Sequence, residues 1–109
     1  MIRATTLDDI TIIQQIAKIS WNDTYKDIIP VNIQKLFLEK AYSPMMIVKR
    51  IEKTIFLIAE YEGNPIGFAN FTYTDEDGDA ELTAIYVLPE YKQSGYGKKL
   101  LLAGLNQMP

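Results

Sequence analysis

The stretch that most constrains this chain runs from Leu82 to Leu102: an apolar segment, a turn at Pro89, a basic loop with Gly95 and Gly97, then an amphipathic helix. That order sets a helix N-terminus, with its unpaired N–H groups, at the end of a β-strand. Glycine at two closely placed positions clears side chains away, so successive N–H groups can turn toward one point. The helix dipole favours negative charge there, and Lys98 and Lys99 add formal positive charge. A phosphate or a diphosphate suits such a place. The competing reading of the same residues is a glycine-rich connection with a solvated lysine face.

Two familiar phosphate loops fit badly. A dinucleotide fingerprint needs a third glycine three residues after Gly97, where Leu100 stands. A P-loop needs Ser or Thr after Gly-Lys, and Gly97-Lys98 is followed by Lys99. The stretch is instead similar to the acyl-CoA pyrophosphate loop of the GCN5-related N-acetyltransferases (GNAT), whose pattern is Gln/Arg-x-x-Gly-x-Gly/Ala after a strand. Here it reads Lys92-Gln93-Ser94-Gly95-Tyr96-Gly97. Lys92 keeps positive charge where the family usually has Gln or Arg, without the planar fork of a guanidinium.

Composition sets outer limits. At 109 residues a single domain over 1–109 is expected. A hydrophobic share of 48% with 23% charged residues is that of a soluble globular protein. No apolar run approaches the roughly 18 residues of a membrane span, and no signal segment opens the sequence, so a cytoplasmic location without a membrane partner is expected. Without Cys or His, neither a disulfide frame nor a zinc site is expected. A net charge of −3 speaks against nucleic acid as a partner and favours a cationic one.

Periodicity orders the elements. Met1–Ala4 reads as a short strand, and Thr6 as an N-cap with acidic residues following. Ile10, Ile13, Ile16, Ala17 and Ser20 mark a first helix to about Trp21, with residues 22–30 a loop or a short broken helix. Ile33, Leu36, Phe37 and Ala41 form the apolar stripe of a second helix, and Ser43-Pro44 caps a third to about Lys53. Thr54–Tyr61 reads as a strand buried on both faces, Glu62–Asn64 as a turn, and Pro65–Thr74 as a third strand. Asp77-Gly78 signals a hairpin into a fourth strand, Ala80–Val87, with the last helix starting near Gly95. Phe56, Ile58, Phe68 and Phe71 are assigned to the core. Leu88 and Tyr91 are assigned to shaping the turn.

This order resembles the first two-thirds of the acyl-CoA N-acyltransferase (GNAT) fold. The implied class is α/β (α+β), a mixed, mostly antiparallel sheet flanked by helices. Trp21–Pro30 resembles a segment of small bacterial polyamine N-acetyltransferases, which makes Trp21 and Tyr25 candidate substrate-binding residues. Packing of both rings into the core is the competing reading. The resemblance implies acetyl transfer from acetyl-CoA, with no metal, to a primary amine of a small molecule, a polyamine in particular. It also implies that main-chain groups of Ile85, Tyr86 and Val87 hold the pantetheine arm and the acetyl carbonyl. The diphosphate would lie on Lys92, Gln93, Ser94, Gly95, Tyr96, Gly97 and Lys98.

An alkylammonium must lose a proton before it can attack, so a carboxylate is useful. Glu81 lies 14 positions before Gly95, the offset of the base in histone-acetylating relatives. Alternation puts it on one strand face with Thr83, Ile85 and Val87. A solvated carboxylate beside an acidic turn is its other reading. The cluster Asp75, Glu76, Asp77 and Asp79 reads as a soluble hairpin tip or as an attractor of polyamines.

Family members continue past this helix to a fifth strand and further elements, one of which commonly carries a thiolate-protonating Tyr. The expectation is therefore a chain cut short, inactive alone, with an exposed fourth-strand edge open to self-association. The other class of function is a non-catalytic module that keeps the CoA or anion site, or only an interaction surface.

Overall fold

The structure, a computed structural model, describes residues 1–73 and 80–108. The expected Asp77-Gly78 turn and the acidic cluster from Asp75 to Asp79 lie outside the described residues.

Four strands form one sheet in chain order: β1 (Ile2–Ala4), β2 (Ile55–Tyr61), β3 (Asn64–Tyr73) and β4 (Ala80–Val87). All three pairings are antiparallel. Helices α1 (Ile10–Tyr25), α2 (Val31–Ala41) and α3 (Pro44–Lys53) lie between β1 and β2 in sequence, and α4 (Tyr96–Gln107) follows β4.

β2 and β3 are central strands, and both carry runs of consecutive buried residues, Phe56–Ala59 and Ile66–Phe71. Such runs mark strands covered on both faces. On one face Phe56, Ile58 and Phe68 meet Ile13, Ile16 and Ala17 of α1, Ile47 of α3 and Tyr42. On the other, Leu57, Ala59, Ala69 and Phe71 meet Leu100 of α4. The core is thus two layers of side chains with the sheet between them. The turn from β2 to β3 uses positive φ at Glu62 (51°) and Gly63 (80°), which suits a two-residue hairpin.

Three expectations need correction. α1 does not stop near Trp21; it runs one turn further, to Tyr25, because nothing from Asn22 to Tyr25 breaks a helix and Lys26 N–H closes onto the Asn22 carbonyl. The stripe expected on α2 is mostly outside: Ile33, Leu36 and Phe37 are each about half exposed, whereas Gln34 is buried and Leu38 and Ala41 rest on the core. The buried side is therefore set by Gln34, whose amide donates to the Ile29 carbonyl at 2.9 Å and ties the helix to the preceding turn.

The third correction concerns β4. Leu82 is opposite Phe71 and Ala84 is opposite Asn70, which leaves Thr83 as an extra residue, a β-bulge. The bulge shifts the alternation by one. Glu81 pairs with Thr72, in phase with Ala84 and Tyr86, and not on the face of Ile85 and Val87.

Candidate functional site

The loop after β4 is built by short local bonds. Pro89–Tyr91 forms one 3-10 turn, with Tyr91 N–H on the Leu88 carbonyl at 2.9 Å. Ser94 then bonds the Tyr91 carbonyl through both its N–H, at 3.1 Å, and its hydroxyl. Gly95 has φ 85°, the left-handed region that strains any residue with a Cβ, and from it α4 begins. The first closed helical bond is Lys99 N–H to the Gly95 carbonyl, at 3.1 Å. The N–H groups of Gln93, Gly95, Tyr96, Gly97 and Lys98 therefore have no carbonyl partner among the described residues.

Gly97 has a different reason from Gly95. A Cβ there would meet nothing of the protein within 4 Å, and its φ is not positive. Glycine inside a helix costs roughly 1 kcal/mol relative to alanine. No contact within the protein explains that cost.

Side chains around the loop divide their work. Tyr96 is half-buried and stands edge-on to Tyr91 with centroids 6.4 Å apart, and both reach Tyr61 of β2. Its ring thus packs against its aromatic neighbours. Lys98 is exposed and has no carboxylate partner among the described residues. Lys92 is engaged: its Nζ lies 2.6 Å from the Asp23 carboxylate of α1. The hydrogen bond from Lys92 holds the Asp23 carboxyl below the usual carboxylate value, with the charges of Lys92 and Lys26 acting in the same direction. Asp23 joins the loop to the first helix, a contact that no local pattern could disclose across a separation of 69 residues.

α1 also meets β4 directly. The Trp21 indole N–H donates to Tyr86 Oη at 2.9 Å. The Trp21 ring stacks on Phe37 of α2 with centroids 4.5 Å apart and lies 4.8 Å from Tyr25. Trp21 and Tyr25 are half-buried, so neither is wholly core nor wholly free. Phe37, about half exposed, completes an aromatic group that sequence reasoning missed by assigning it to a buried stripe. Beneath, burial pushes the Tyr42 phenol well above its ordinary value, with Tyr86 acting the same way and Arg50 opposing. A groove of about 950 Å³ runs between α1 and α2, reaching Asp23, Lys26 and Pro89 beside the loop.

The two ends of β4 are differently placed. Ile85 and Val87 face α4, while Tyr86 faces α1. Glu81 is exposed near the far end of β4, roughly 20 Å at about 3.3 Å per residue from the strand end that leads into the loop. The structure thus brings Trp21 to β4, with Tyr25 beside it, and Lys92 to α1, but does not bring Glu81 to the loop. β4 pairs on one side only among the described residues, so its outer backbone edge is open. Among those residues no cluster of metal-ligating side chains occurs, and no helix is long and apolar enough to cross a membrane.

Comparison with known proteins follows the same outline. Residues 13–109 match the sequence profile of the acetyltransferase (GNAT) family. An uncharacterized N-acetyltransferase, YuaI of Bacillus subtilis, is 32% identical over 106 residues, covering 94% of this chain and 61% of that protein. The spermidine N(1)-acetyltransferase of Thermoplasma acidophilum is 28% identical over 107 residues, covering 93% of this chain and 65% of that protein. The chain thus spans somewhat under two-thirds of the length of these curated relatives. Among solved structures, the PaiA N-acetyltransferase of Thermoplasma acidophilum in complex with coenzyme A superimposes with a TM-score of 0.93 at 27% identity. That match covers 99% of this chain and 70% of the other.

Proposed function

Because this chain belongs to the GNAT family of acetyltransferases, we propose that it transfers an acetyl group from acetyl-CoA to a primary amine of a small molecule. The observation that carries this reading is the set of unpartnered N–H groups at Gln93 and Gly95–Lys98, beside a strand with an open edge. They present an anion-binding concavity of the kind a diphosphate fills. Gly97 leaves room for it to approach, and exposed Lys98 adds charge. Lys92 contributes by holding the loop to α1 through Asp23.

When bound, acetyl-CoA supplies an activated thioester. The residues of this chain would then orient it. The open edge of β4 at Ile85–Val87 would take the pantetheine arm as an added strand. Glu81, or a water it holds, would take the proton of the amine. A polyamine acceptor is the finer reading. It is supported by the name of the Thermoplasma relative and by the aromatic faces of Trp21, Tyr25 and Phe37, which suit an alkylammonium. A cytoplasmic setting, where acyl-CoA donors are made and used, accords with this chemistry. The same open edge supports self-association, which size-exclusion chromatography with light scattering would detect as a dimer or larger species.

The test is release of free CoA thiol from acetyl-CoA with and without spermidine. Amine-dependent release with a mass gain of one acetyl group on the amine is expected. Binding of acetyl-CoA with no release to any primary amine would favour the non-catalytic module instead.

A further inference from the structure

A second, smaller cavity lies on the α1 side of the sheet, beside the bulge of β4. It measures about 180 Å³ and is lined by Tyr42, Arg50, Thr54, Asn70, Thr72, Thr83 and Ala84. At about 30 Å³ of liquid volume per water, that is space for roughly six waters or one small organic acid. On the side of the sheet its walls are polar except at Ala84, and they carry one cation.

The cation is held in place but not neutralised. Arg50 sits in the last turn of α3, and its guanidinium lies 4.7 Å from the centre of the Tyr42 ring. Tyr42 is buried, so the ring is a fixed platform for the guanidinium. No carboxylate pairs with Arg50 among the described residues. Complementing the dipole at the end of α3 would require charge there, but not a place in a cavity wall.

Asn70 supplies the second observation. It is only 2% exposed, and its Nδ2 donates to Thr54 Oγ1 at 2.7 Å and to the Ile55 carbonyl at 3.1 Å. A backbone carbonyl only accepts, so the amide orientation is settled, and Oδ1 is the remaining atom. Oδ1 accepts no hydrogen bond among the described residues, yet it is not among the fully enclosed unpaired atoms. It therefore borders the cavity as an acceptor awaiting a donor. The bulge helps make this wall: Thr83, the extra residue, donates its hydroxyl to the Asn70 carbonyl at 2.8 Å, which leaves its own oxygen with accepting capacity.

A fixed guanidinium with no acid, beside a buried amide oxygen with no donor, complements a molecule bearing both groups. We propose that this cavity binds a small carboxylate that also carries an N–H or O–H donor, a small amino or hydroxy acid. The carboxylate pairs with Arg50, and the donor meets Asn70 Oδ1. The acid is either the acceptor of acetyl transfer or a separate ligand beside β4. The binding does not rest on acetyl transfer, so it is measured without acetyl-CoA.

The experiment is an NMR titration of the protein with L-serine and with lactate, reading the amides of Asn70, Thr72 and Thr83. Propylamine, which has no carboxylate, and acetate, which has no donor beyond its acid group, are the controls. Saturable shifts at these amides with L-serine or lactate, weaker with acetate and absent with propylamine, are expected. Arg50→Gln should weaken binding roughly 10- to 100-fold, the loss of a charge-assisted pair, and Arg50→Lys less. Arg50→Lys also keeps the charge at the helix end, so it reports on geometry if Arg50→Gln does not fold. Mass spectrometry with acetyl-CoA added then separates the sources: acetylated serine identifies the acceptor, and unchanged serine a separate ligand. No saturable shift, or equal affinity in both Arg50 variants and the parent, would overturn the proposal.

Discussion

Gly104 and Phe71 are in such close apposition that a Cβ on Gly104 would stand 2.2 Å from a carbon of the phenyl ring. Phe71 is buried at the centre of the layer beneath α4, so the ring has nowhere to go. α4 settles onto β3 at this point, and the loop that begins it inherits that position.

Gly104→Ala is therefore expected to destabilise the protein. Helix propensity gains about 1 kcal/mol from the change, whereas overpacking a well-filled layer costs about 1–3 kcal/mol. An overlap this deep puts the cost at the upper end, and the net effect should be a lower urea midpoint at unchanged slope. A midpoint equal to or above that of the parent would show that α4 can shift.

Gly97→Val separates fold from ligand. A side chain there meets nothing of the protein within 4 Å, so stability should change little. Acetyl-CoA affinity by calorimetry should fall by about 1–3 kcal/mol, since the added bulk fills the approach to the loop amides. Equal affinities would remove the loop from the binding site.

If Glu81 is the proton acceptor, Glu81→Gln should lower turnover about 10²–10⁴-fold and alter the acidic limb of the pH–rate profile. Its place in phase with Ala84 and Tyr86 puts it on the flank of α1, so in that role it would meet an amine coming from that side. Unchanged turnover and profile would leave Glu81 a surface carboxylate.

Phe37→Leu keeps apolar bulk but removes the π face stacked on Trp21. A loss of about 0.5–2 kcal/mol in cation–π contact corresponds to a roughly 2- to 30-fold rise in KM for a polyamine. Acetyl-CoA affinity should be unaffected. A change in acetyl-CoA affinity with KM for the amine constant would contradict the assignment.

Asp9 predicts the acid side of the stability curve. Its carboxylate takes two bonds from Arg3, at 2.8 and 2.9 Å, and one from Thr6 N–H, at 2.8 Å. The bond to Arg3 above all holds its carboxyl below the ordinary value of 3.8. The carboxylate is ionised in folded and unfolded chains above 3.8, so its contribution is complete there. It is lost as pH falls from 3.8 through the lower folded value. Asp9→Asn should thus be less stable than the parent at neutral pH and lose less on acidification, by thermal melts across that window. Parallel curves would show that Arg3 does not act through Asp9.

Much of this was legible beforehand. β2 and β3 announce themselves because central strands need apolar residues on both faces, and the start of α4 because a left-handed residue ahead of a helix favours glycine, as at Gly95. The bulge at Thr83 was not legible: Leu82, Ala84, Ile85 and Val87 fit either phase of alternation, and the choice is made by Phe71 and Asn70 across the ladder. The buried side of α2 was hidden for a similar reason. Its apolar residues exceed one face, and a buried Gln34 bonded to Ile29 decides the rotation. Asp23 and Phe37 owe their contacts to Lys92 and Trp21, far along the chain, which spacing within a window does not register.

The single extra residue in β4 lets one strand work in two phases. Up to Leu82 the even-numbered side chains share the flank of Phe71; beyond Thr83 that flank belongs to the odd-numbered ones. A strand without the insertion would have to choose, sending either Glu81 beneath α4 or Ile85 and Val87 away from it. The insertion removes that conflict, so an acidic residue and the apolar underside of α4 coexist on eight consecutive residues. Drift in sequence on one side of Thr83 need not disturb the other. Ala80–Leu82 can vary while the apolar platform that Ile85 and Val87 give α4 stays constant.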